Sequence, residues 1–182
     1  MLLGTPPNLT YPAAMTSKLP LPEETAVVEP WVPDGASPPN FVQAYRWWLR
    51  HVGRGLLPSR SDFDPVDNRS LLRWIVLFDV VRDERGIDFR YRLWGSEITT
   101  LVGRDYTGRL HGDVVSPKAR EFGRRCFLWM MEHKLCQLAR QRVPFENRDF
   151  LDYERLGLPL SSDGSQVDQI MLIVQPCKSA AR

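Results

Sequence analysis

An α+β fold, an antiparallel sheet with its helices grouped on one face, is what this sequence predicts, and three observations carry it. The run Ile75 to Val81, and the alternation of Ile87, Phe89, Tyr91 and Leu93 with Asp88, Arg90 and Arg92, read as two strands. A longer amphipathic stretch from Pro117 to about Arg140 reads as one helix. Strand-like runs then recur over 143–145, 153–160 and 167–174. Strands placed before and after a helical block, rather than alternating with it, favour antiparallel pairing.

Composition sets the scale. With 182 residues, 43% hydrophobic and 25% charged, the chain can build one ordinary core without staples. A net charge of +2, carried by scattered arginines, gives no basic face for nucleic acid, so none is expected as a partner. No window approaches the roughly 18 apolar residues of a membrane span, so no membrane partner is expected either. The three cysteines, Cys126, Cys136 and Cys177, are odd in number and form no CxxC, which argues against a disulfide framework and for a reducing cytoplasm. Met1-Leu2-Leu3 runs at once into Gly4, Pro6 and Pro7, unlike a signal peptide, and Met15 is a second candidate start.

Residues 1–39 hold nine of the fifteen prolines and read as a flexible arm. The domain proper is placed at 40–176, with a C-terminal tail at 177–182. It opens on an amphipathic helix over 40–52, where Phe41, Tyr45, Trp48, Leu49 and Val52 recur at helical spacing, Asn40 and Gln43 form a capping pair and Gly53 is the stop. A short helix is expected over Val66 to Arg73. Asp83-Glu84-Arg85-Gly86 supplies the hairpin turn, with Gly86 where positive φ is needed. Another short helix is expected over Gly95 to Val102. The glycines at 103, 108 and 112 then favour turns, and Gly103 to Arg109 reads as a tight connector in which Asp105 and Thr107 bond local backbone. Ser161 to Ser165 joins the last two strands.

Several phrases within this frame are more specific: Leu57-Pro58-Ser59-Arg60 with Asp62-Phe63-Asp64-Pro65, Phe89 to Gly95, Gly103 to Arg109, and Leu158-Pro159-Leu160-Ser161-Ser162-Asp163-Gly164. In order and spacing they resemble short bacterial PAS proteins that carry no attached kinase or cyclase, over about Asn40 to Pro176. The resemblance implies a five-stranded sheet that, with its helices, encloses a pocket for a small ligand, cofactor or partner. It implies no catalysis, and no Ser–His or paired-carboxylate motif suggests any.

The expected ligand site comprises Phe89, Tyr91 and Leu93 from the strand, and Phe122, Cys126, Trp129, Met130 and His133 from the long helix. Such a lining suits a small apolar or amphipathic ligand. Flavin is not expected, because Cys126 lacks the preceding Asn of light-sensing PAS relatives. Haem is not expected on His133 alone, and His133 with Cys136 falls short of a zinc ligand set. A second apolar stripe, Phe127, Leu128, Met131, Leu135 and Leu138, lies on the opposite side of the long helix and needs a cover. The stripe Phe41, Tyr45, Trp48 and Leu49 is the candidate, which predicts a homodimer through these residues with Leu128 and Leu135. Signalling proteins are the other expected partners. A constitutive interaction module without a ligand is the alternative reading.

Overall fold

The computed structural model of the protein describes residues 26–52, 56–84, 86–145 and 152–177. Residues 1–25 of the expected arm, Gly53, Arg85 and tail residues 178–182 lie outside the described residues. In chain order the elements are β1 Ala26–Val28, α1 Pro39–Val52, a 3-10 turn Arg60–Asp62, α2 Arg69–Leu72, β2 Ile75–Asp83 and β3 Gly86–Trp94. They continue with α3 Ser96–Val102, α4 His111–Val114, α5 Pro117–His133, β4 Gln137–Arg142, β5 Asp152–Leu160 and β6 Gln169–Pro176. Among the described residues the strands form one antiparallel sheet in the order β1-β4-β5-β6-β2-β3.

The hairpin β2–β3 follows from its sequence. Its β-branched and aromatic residues favour the pleat, and Gly86 takes a φ of 114° at the turn, a value side chains with a Cβ rarely adopt. A bulge between Leu77 and Phe78 shifts the register so that Phe78 pairs with Tyr91. Those two rings then touch at 4.5 Å between centroids. The first turn of α5 is held as its sequence suggests: Pro117 stands at its start and Ser116 caps it, accepting from the Ala119 N–H at 3.3 Å.

Alternation along the paired strands sends Val76, Phe78, Tyr153, Arg155, Leu172 and Val174 to one face, where α3, α4 and α5 meet them. Leu156, Leu158, Met171 and Ile173 point to the other face and are also fully buried. That second face is covered by α1, which packs on β5, β6 and α2. The expectation of helices on one face is therefore corrected: a sheet apolar on both sides needs two covers, and α1 supplies the second.

Two further expectations change as well. The long helix stops at His133, not near Arg140, because Lys134 adopts the left-handed conformation (φ 56°) and Gln137–Arg142 becomes β4. Leu138 pairs with Leu156 and Ala139 with Arg155, so sheet pairing overrides a helical spacing of apolar residues. The expected strand at 143–145 is instead the segment that follows β4.

The arm is docked over its last third. β1 adds a sixth strand beside β4, beyond the five expected, with Val28 opposite Leu138. The Trp31 N–H donates to the Cys136 carbonyl at 2.9 Å, and the Gln137 side-chain amide donates to Glu29 at 2.7 Å. The Trp31 ring is buried edge-on against Tyr45, 5.6 Å between centroids.

The expected homodimer loses the surface on which it rests. Phe41, Tyr45 and Trp48 are buried within one chain, and Leu49 is half-buried against the same core. Trp48 Nε1 donates to the Pro159 carbonyl at 2.9 Å. Leu135 is not on the helix at all, and Phe127 and Leu138 are buried in the core, so only Leu128 and Met131 remain, half-buried, on the outer side of α5. Asn40 and Gln43 are not a capping pair either: α1 starts before Asn40, and Gln43 accepts from the Ser70 hydroxyl at 3.3 Å.

Candidate functional site

Between the first sheet face and α3–α5 lies a cavity of about 60 Å³. Each wall comes from a different element: Phe78 from β2, Tyr91 and Trp94 from β3, Ile98, Leu101 and Val102 from α3, His111 from α4, and Ala119, Gly123 and Phe127 from α5. Gln141, Tyr153, Arg155, Leu172 and Val174 close it from the strands, and Val143, Pro144 and Phe145 from the segment after β4. Aromatic packing backs two of these residues: Phe145 stacks on Tyr106 at 4.7 Å and 12°, and Trp94 meets both edge-on.

Its polar groups are few and buried. The Tyr91 hydroxyl and His111 Nδ1 share a hydrogen bond of 2.8 Å. Burial, reinforced by the Arg155 charge, lowers the His111 pKa from 6.5 to about 4, so the ring is neutral at pH 7. Burial raises Tyr91 well above its usual value and pushes Tyr153 up to about 12, so both phenols keep their protons. The Gln141 side-chain amide donates to the Tyr153 oxygen. Two atoms of lining residues find no hydrogen-bond partner: Trp94 Nε1 and Gln141 Oε1. Native interiors leave few such atoms.

Arg155 is the charged member of the lining. It is 3% exposed, and among the described residues no carboxylate lies within ion-pair distance of it. Its guanidinium sits 5.1 Å from the Phe127 ring centroid and 5.8 Å from that of Phe122, and it donates to the Cys126 sulfur. Each ring contact contributes on the order of 0.5–2 kcal/mol, less than the several kcal/mol lost on burying an ion.

Of the expected ligand-site residues only Tyr91 lines this cavity. Phe89 is buried against Phe127, Leu93 is half-buried opposite Leu77, and Met130 fills the space above Gly157. Cys126 is buried beside Arg155, and burial raises its pKa. Phe122 is half-buried under Arg125 and Arg155. Trp129 stacks on an exposed His133 at 4.6 Å, outside the cavity. Six of the nineteen lining residues come from β5, α3 and α4, elements that the expected site does not include. Arg155 shares a strand face with Tyr153 and Gly157 while Leu156, Leu158 and Leu160 take the other, so period two makes it look solvated. The buried strands on both sides of β5 are the signal against that reading.

The phrases that carried the resemblance meet in space: the Ser161 N–H donates to the Pro58 carbonyl at 2.9 Å, and the Leu57 N–H to the Gly164 carbonyl at 3.0 Å. No curated protein matches the chain, and no solved structure does. The family model of the PAS domain does match, over residues 37–174, from just before α1 into β6. With that match covering well over half of the sequence, the chain belongs to the PAS domain family.

Proposed function

We propose that this PAS domain is a sensory module without catalytic activity of its own, and that its signal is a small molecule held in the inner cavity. The observation that carries the reading is the set of buried polar atoms on the cavity walls that lack a protein partner. Such atoms are costly unless a bound molecule or ordered water meets them. Ligand pockets usually span about 300–1,000 Å³. At about 60 Å³ this one suits a ligand of a few non-hydrogen atoms. Occupancy would be read out by a regulatory partner protein docking on the outer surface. A cytoplasmic setting agrees with the free thiols of Cys126, Cys136 and Cys177.

Native mass spectrometry of gently purified protein tests this: a retained small molecule supports sensing. A clean ligand-free mass favours the second reading, a constitutive interaction module. The close aromatic packing of Trp94, Tyr106 and Phe145 beside the cavity speaks for that alternative.

A further inference from the structure

We infer that the cavity selects a small monocarboxylate, seated with its carboxylate on Arg155 and its carbon end among Ile98, Leu101 and Leu172. This rests on the sensory reading above and adds the chemical class of the ligand. The described lining contains a guanidinium and no Asp or Glu. A guanidinium cannot lose its proton to escape the cost of burial, so an anion is what relieves it. The planar fork of Arg155 also matches a carboxylate geometrically.

Among the neighbouring groups one acceptor, Gln141 Oε1, also lacks a partner and suits the proton of a water beside the anion, while the donors agree in sign with Arg155. Trp94 Nε1–H is a buried donor without an acceptor. Tyr153 accepts from Gln141, which leaves its own proton to donate. His111, held neutral, adds no second positive charge. One cation therefore faces the cavity, and a dianion would leave one of its charges unmatched. Size narrows the class further. A water site needs about 10–15 Å³ on this measure, so about 60 Å³ admits an anion of the size of acetate to butyrate.

The test is NMR titration of the full chain with propionate, its neutral isostere propionamide, and propylammonium, read at the Trp94 indole N–H. Propionate should shift this resonance saturably, whereas propionamide and propylammonium should not. Arg155→Met should weaken propionate binding about tenfold or more, and Arg155→Lys less. Removing an unpaired buried charge should leave Arg155→Met folded; if it does not fold, the preference of the wild-type chain for acid over amide decides the matter. If propionamide binds as well as propionate, or Arg155→Met binds propionate unchanged, the carboxylate assignment is wrong while a ligand cavity stands. If none of the three binds, the assignment is also overturned. The sensory reading is then judged separately, by whether the purified chain retains any molecule.

Discussion

His111 Nε2 occupies the space that a side chain at Gly123 would need: a Cβ there would lie 2.6 Å from it. The glycine in the middle of α5 is thus what lets α4 close over the cavity. Gly123→Ala should gain up to about 1 kcal/mol in helix propensity, yet lose about 1–3 kcal/mol by displacing a buried ring. Urea denaturation should show net destabilisation, and a more stable variant would mean that His111 can move aside freely.

The same histidine makes stability depend on pH. Its folded pKa is lowered from 6.5 to about 4, so between those values the unfolded chain binds a proton that the folded chain refuses. Stability from this group is therefore full above about pH 6.5 and is lost as pH falls towards 4, by about 3 kcal/mol at about 1.4 kcal/mol per pKa unit. Other groups also contribute to the pH dependence of stability, so the difference from His111→Gln is the measure. Parallel curves for the two proteins would refute it.

Trp31 ties residues before α1 to the domain through its N–H bond to Cys136 and its edge contacts with Phe41 and Tyr45. Trp31→Ala should cost about 3–5 kcal/mol. A chain beginning at Pro39 should melt well below one beginning at Ala26. Equal melting temperatures would show that β1 and Trp31 contribute nothing.

Lys134 ends α5 in a left-handed conformation that costs a residue with a Cβ about 1 kcal/mol relative to glycine. Lys134→Gly should raise stability by up to that amount in chemical denaturation. A loss would show that the lysine side chain contributes more than its backbone costs.

The hairpin, the start of α5 and the last two strands were legible because each pairs a strong local period with the right punctuation. Gly86 and Ser116–Pro117 mark their boundaries without help from tertiary structure. The end of α5 was not legible: Leu135 and Leu138 continue a helical spacing, no glycine follows His133, and only pairing with β5 makes Gln137–Arg142 a strand. The cavity was hidden for a related reason. Arg155, Gln141 and His111 look like surface residues until two buried neighbouring strands and α4 enclose them. The aromatic stripe of α1 covers the far side of β5 and β6 rather than the long helix, and the unbroken apolar run Ile170 to Val174 is the sequence signal for that second buried face.

The placement of β1 bears on how this protein meets others. A sheet edge with free N–H and C=O groups invites another chain to add a strand. Here the edge beside β4 is taken by the chain's own Ala26–Val28. At the far side, the Tyr91 N–H donates to the Arg109 carbonyl, the Tyr91 carbonyl accepts from Gly108, and Arg90 bridges to Leu110. Backbone thus pairs with backbone along β4 and over part of β3, and the margin beside β4 shrinks to the three residues of β1. A very short edge strand is one way a sheet is guarded against edge-to-edge aggregation.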